Sequence, residues 1–293
     1  MPRKILLSFL ICFFCSAVTR LSAQFYYQDI LSSKTNHARY QLYKTQKVSK
    51  ILLKPSEGDG SPSEGFSFEQ SFNSSYTQLK TTAALKSGTK SSMINYYNAA
   101  GYLYRTVDSS QESVSIYEYA YDSTGKPVSV LNTSRVIGEK TKSTEIHKWE
   151  YNAEGKPVKM VRIREETDSS EVKLSLDEQG NVADEQAVRK GIGGDKVYYY
   201  YDADNRLTDI VRYQEKLGKL LPDYTFDYTP EGRVSEMRVT QNGGTDYFIW
   251  KYVYLENGLL AKEICYNKQK KLIGKKKLSI SLKKEMNAMK FLN

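Results

Sequence analysis

Cysteine and histidine are scarce in this chain of 293 residues, with three of the first and two of the second. Cys12 and Cys15 lie near the start, so residues 24–293 hold only Cys265 and cannot form an internal disulfide. Stability must therefore come from a packed core and sheet hydrogen bonds. Cys265, between Ile264 and Tyr266, reads as a small buried apolar group rather than a redox thiol. His37 and His147 have no partners at metal-ligand spacing, so neither a metal set nor a nucleophile–base pair can be read, and no cofactor is called for. Past the first 20 residues no apolar run approaches the roughly 20 residues of a membrane helix.

The opening residues have a composition of their own. Arg3 and Lys4 precede an apolar stretch from Ile5 to Val18, and Leu21-Ser22-Ala23 stands before Gln24. This is the layout of a secretory signal peptide cleaved after Ala23, which places the protein in the periplasm, at the outer membrane or outside the cell, with no transmembrane segment after cleavage. The net charge of +9 is unevenly spread. Arg3, Lys4 and Arg20 contribute +3, and nine lysines against Glu285 in residues 268–293 contribute +8, which leaves −2 on residues 24–267. A nucleic-acid-binding surface over the body is excluded.

What the chain has in abundance is tyrosine, 24 residues, and its placement is periodic. The segments beginning at Tyr97, Tyr121, Tyr151, Leu176, Tyr201, Tyr228 and Tyr254 share one pattern: an aromatic or apolar anchor and, four residues on, Gly101, Gly125, Gly155, Gly180, Asn205, Gly232 or Gly258. Aspartate or asparagine after most anchors can bond the backbone ahead of it, and glycine or asparagine at the end tolerates positive φ, so each segment is a hairpin turn. A degraded copy, Phe72 to Tyr76, lacks the glycine.

The residues two and four before each anchor are apolar or aromatic, Asn95 and His147 excepted, and polar residues such as Glu118, Lys148 and Lys251 alternate with them. That period of two predicts a strand with one wet face. Return strands are predicted to open at Leu103, Pro127, Pro157, Val182, Leu207, Val234 and Leu260. The expected fold is all-β: an antiparallel meander of repeated hairpins over 93–267. It must curl on itself, fold as a sandwich or pack on a β-rich segment at 24–92 to bury its aromatic face. Helix is weakly indicated throughout, with 282–291 the one modest candidate.

At Tyr199, Tyr201, Asp202, Asn205, Arg206 and Leu207, and again at Tyr119, Tyr121, Asp122 and Gly125, the chain resembles the YD repeats of the RHS class of bacterial envelope and secreted proteins. In that family long arrays build hollow β-shells around toxin domains. This chain is far shorter and shows neither the family's core motif nor a toxin-sized domain, so the resemblance implies fold and surface role and not toxin delivery.

Other features are weighed by what their chemistry requires. D202-A-D-N lacks the glycine and glutamate of a calcium loop, which fall on Leu207 and Tyr213, and G191-I-G-G-D lacks the lysine of a phosphate loop. Tyr198 and Tyr200 lie on the face opposite Tyr199 and Tyr201 and offer flat faces for stacking a glycan or peptide. Lys275, Lys276, Lys277, Lys283 and Lys284 could contact an anionic surface; alternation from Lys277 to Leu282 equally fits a last strand. A free edge strand could recruit a partner by strand addition. The expectation is an exported, non-enzymatic binding or scaffold module with a protein or glycan partner at the envelope. The alternatives are a hydrolase-like enzyme with its site at the sheet edge, or a structural spacer.

Overall fold

The structure is a computed structural model that describes residues 25–240 and 244–283. The signal peptide read at 1–23, Lys284 and most of the 282–291 helix candidate lie outside the described residues. Among the described residues one α-helix precedes the sheet, α1 (Gln28–Thr45). The first nine strands are β1 (Val48–Glu57), β2 (Phe66–Phe72), β3 (Gln78–Leu85), β4 (Lys90–Tyr97), β5 (Leu103–Ser110), β6 (Ser113–Tyr121), β7 (Pro127–Val136), β8 (Lys142–Tyr151) and β9 (Pro157–Arg164). Then follow β10 (Asp168–Leu176), β11 (Val182–Arg189), β12 (Ile192–Tyr201), β13 (Leu207–Gln214), β14 (Lys219–Tyr228), β15 (Val234–Thr240), β16 (Tyr247–Tyr254), β17 (Leu260–Asn267) and β18 (Leu272–Leu282). The seven return strands open on the residues the repeat predicts.

The turns share one backbone hydrogen-bond pattern. In the turn from β6 to β7, Asp122 Oδ1 accepts the backbone N–H groups of Thr124 and Lys126 at 2.8 and 2.9 Å, and Gly125 has φ +82°. Asp202 does the same for Asp204 and Arg206, with Asn205 at φ +59° in the glycine position. The degraded copy also turns, with Tyr76 at φ +58°, so the hairpin array starts at β2.

Neighbouring units are fastened by the anchor tyrosines. Tyr121, Tyr151, Tyr201, Tyr228 and Tyr254 donate their hydroxyls to the carbonyls of Leu103, Pro127, Val182, Leu207 and Val234, the first residues of the preceding return strands, at 2.6 to 3.0 Å. Lys126, Arg206 and Arg233 lay their cations over the next unit's ring, at Tyr151, Tyr228 and Tyr254. Leu176 has no hydroxyl, and its unit goes without the latch.

Each strand pairs antiparallel with the next, and β18 pairs with β1 through Ile51 against Ile280 and Leu53 against Leu278. The eighteen strands therefore close into an up-and-down barrel. Of the three arrangements open to the meander, the sheet curls. Closure leaves no free edge among the described strands, which corrects the strand-addition reading.

The aromatic and apolar face points inward: Trp149, Met160, Val172, Tyr199, Ile210 and Trp250 are buried. The outer face carries cross-strand ion pairs such as Lys50–Glu69, Lys159–Glu150 and Lys251–Glu236.

The helix is a correction to the sequence reading. Its side chains touch β1, β2, β4, β6 and β8, the C-cap residue Gln46 reaches Asn257 in the turn between β16 and β17, and the two residues before the helix reach β11 and β12. An element that meets strands all round a closed barrel lies within it. Its partners are turn residues and the layers just below them, so α1, about 27 Å long, crosses the barrel at the turn end. Tyr27, Ile30, Tyr40 and Tyr43 are buried at its contacts with the wall. The sequence signal was weak because Tyr27 at the N-cap makes no side-chain cap and serine, threonine, asparagine and histidine fill the middle.

Candidate functional site

The start of α1 is held by charged groups from the wall. Glu185 on β11 accepts the backbone N–H groups of Tyr26 and Tyr27 at 2.6 and 2.7 Å, supplying the acceptor that no capping side chain provides. Burial raises the Glu185 carboxyl above its usual range, and those two N–H groups oppose the shift. Next to it, Asp29 accepts from Trp149 Nε1 at 3.1 Å and from His147 Nδ1 at 2.7 Å.

His147 lies between two carboxylates, since its Nε2 stands 3.0 Å from Glu145, which also takes Arg162 at 2.7 Å. Burial disfavours the imidazolium, but the hydrogen bonds to Asp29 and Glu145 outweigh it and raise His147 to about 9. Glu145 is likewise lowered to about 2, because His147 and Arg162 overcome its burial. At neutral pH both ring nitrogens donate, and no lone pair is left to accept a proton. The ring meets Tyr26 edge-on at 5.6 Å. The sequence pattern put Glu145 on the same face as His147, whereas Asp29, 118 residues away, carried no signal. His37 stacks on Tyr102 at 4.2 Å and bonds the carbonyl of Gly101, so it too fastens the helix to the rim.

A second assembly lies at the turn rim, where a groove of about 600 Å³ is lined by Asp177, Gln179, Asn181, Asp184, Tyr198 and Tyr200 among others. The two tyrosines named from the sequence are brought together here. They are two residues apart on β12, which sets their Cα atoms about 7 Å apart on one face, and Tyr200 is 49% exposed. The walls are two adjacent turns joined by a hydrogen bond from Asn181 Nδ2 to Asn205 Oδ1 at 2.8 Å. Asp177 is locked by the N–H groups of Gln179 and Asn181. Asp184 pairs with Lys196 at 3.2 Å. Phenol faces, carboxamides and carboxylates so placed suit an extended polar ligand. The sequence reading missed the walls, although they occupy matching positions of neighbouring repeats. Asp202, weighed there for calcium, spends its oxygens on the turn and on Arg206 Nε at 2.7 Å.

Of the lysines named from the sequence, the structure brings only Lys275 and Lys277 together, on the outer face of β18. Lys275 and Lys277 are exposed on β18. Lys276 points inward, 2% exposed, and bonds Glu263 at 2.9 Å with Trp250 beneath it, so it is removed from any surface contact. Lys283 sits over the Tyr76 ring and donates to the carbonyl of Ser74.

No protein-family model and no curated protein matches the chain. Similar solved structures include a porin-like protein from Bacteroides uniformis, with 13% identity over 80% of this chain and 98% of that one and a TM-score of 0.37. The Tc holotoxin pore of Photorhabdus luminescens matches with 13% identity over 74% of this chain and a TM-score of 0.34, and a TcdB2–TccC3 structure with 12% over 75% and 0.33. The chain spans only 12% and 13% of those two toxin chains. At these values the likeness concerns arrays of antiparallel strands and carries nothing about ligand or activity.

Proposed function

We propose that this chain is an exported, non-enzymatic binding module built of YD-type repeats, in which the closed barrel is the scaffold and the groove at Tyr198 and Tyr200 takes an extended glycan. The groove is the observation that carries the reading: two aromatic faces on one strand with hydrogen-bonding groups along both walls. Two further features support it. His147, the one histidine among the inward-facing wall residues, is held as an imidazolium and has no capacity as a base. The outer wall is charged where a membrane-spanning barrel carries an apolar band, as befits a barrel surrounded by water.

The test is a glycan array followed by calorimetric titration of the glycans retained. Saturable binding that weakens about ten-fold or more in Tyr200→Ala and Tyr198→Ala, with unchanged melting, is the expected result. Absence of any saturable glycan would leave the barrel as a structural spacer. Retained glycan binding in both variants would move the site elsewhere on the wall.

A further inference from the structure

The connections that follow odd-numbered strands all emerge at the end of the barrel opposite α1, as an up-and-down meander requires. Along one arc of that rim, from β7 to β14, aliphatic side chains stand in solvent. Val136 ends β7 and Ile137 follows it, Ile192 opens β12, and Leu217 and Leu220 flank the start of β14; Ile192 is 77% and Ile137 51% exposed. These are five of the twelve large hydrophobic residues exposed on the described molecule. Tyr213, paired with Leu220, continues the strip on the outer wall.

Cations accompany every one of these tips. Arg135, Lys140 and Lys142 surround Val136 and Ile137; Arg189 and Lys190 precede Ile192; Lys216 and Lys219 bracket Leu217, and all seven are exposed. The acidic groups on the same arc are Glu139, Glu165, Glu166, Asp168, Asp195 and Glu215. Two of them are engaged locally, Asp168 with Arg189 at 2.8 Å and Glu165 with Ser143 and the backbone of Thr144.

Aliphatic tips on three separate connections do not form a pocket for one partner side chain. They form a rim, with lysines one to three residues behind the tips. A group that enters the acyl boundary while neighbouring ammonium groups stay among headgroups has this layout. We propose that this rim docks the barrel end-on to an anionic lipid surface, with Ile137, Ile192 and Leu217 entering the interface and Lys140, Lys190 and Lys216 meeting the headgroups. The inference is independent of the glycan groove, which lies at the opposite rim.

The experiment is vesicle flotation of the full barrel with phosphatidylglycerol–phosphatidylcholine vesicles and with phosphatidylcholine alone, at low and high salt. Wild type should float with the anionic vesicles and lose at least part of that binding at high salt. Ile137→Ser, Ile192→Ser and Leu217→Ser combined should weaken partition about ten-fold or more. Because these side chains are exposed, the melting midpoint should not move, and Leu255→Ser at the opposite rim should float like wild type. Failure of folded wild type to float would overturn the proposal, as would unchanged flotation of the triple variant. Displacement by inorganic phosphate would assign the cations to a free-anion site and equally overturn it. Flotation that persists in Tyr198→Ala with Tyr200→Ala separates this surface from the groove.

Discussion

The hydroxyl of Tyr151 donates to the carbonyl of Pro127 at 2.6 Å, and the side chain of Lys126 covers the same ring from the preceding turn. One residue is thus tied to its neighbouring unit by a hydrogen bond and by a cation over its face. The hydrogen bond recurs at Tyr121, Tyr201, Tyr228 and Tyr254, and the covering cation at Tyr228 and Tyr254.

Tyr151→Phe keeps the ring and removes the bond, so it should lower stability by about 1 kcal/mol. Tyr151→Ala should cost about 3 kcal/mol or more, because the ring packing is lost as well. Urea denaturation with unchanged m-values would show both.

Two turn glycines separate strain from crowding. Gly232, at φ +78°, has nothing within 4 Å of an added Cβ, whereas a Cβ added at Gly125, at φ +82°, would collide with the Tyr102 phenol. Gly232→Ala should therefore cost about 1 to 2 kcal/mol for the backbone alone. Gly125→Ala should cost more, and Tyr102→Ala introduced alongside should return its penalty to that of Gly232→Ala. Equal penalties in the two single variants would refute the crowding.

Lys276 and Glu263 form a buried pair beside Trp250. Lys276→Ala strands a carboxylate in the core and should destabilise by about 3 to 5 kcal/mol. Lys276→Met combined with Glu263→Leu should recover most of that loss in thermal melts.

The clamp on His147 makes stability depend on pH at both ends. Its pKa is raised from 6.5 to about 9, so its contribution is full below pH 6.5 and is lost as pH rises through 9. Glu145 is lowered from 4.5 to about 2, so its contribution is full above pH 4.5 and is lost as pH falls through 2. A plateau between these limits is expected, with a loss on the alkaline side on the order of 3 kcal/mol. His147→Gln should flatten the alkaline limb in melts recorded across pH.

The sequence by itself determined the hairpins. An aspartate that bonds the backbone ahead of it, a residue that tolerates positive φ at Gly125 or Asn205, and apolar residues at alternate positions before each anchor act within about ten residues. Local rules therefore placed the start of every return strand from Leu103 to Leu260. They also put Tyr198 and Tyr200 on the outer face.

Only the tertiary structure decided how the array ends. Whether the meander stays open or closes depends on twist and stagger accumulated over eighteen strands and on the meeting of Ile51 with Ile280, residues that no local rule relates. Closure turns Lys276 from a surface lysine into a core cation and removes the edges. The helix was illegible for the same reason: its capping acceptor, Glu185, lies 158 residues from Tyr27, and its partners surround it, so its sequence shows no single apolar stripe. A helix enclosed by a barrel is specified by the wall around it, and that wall exists only once the first strand has paired with the last.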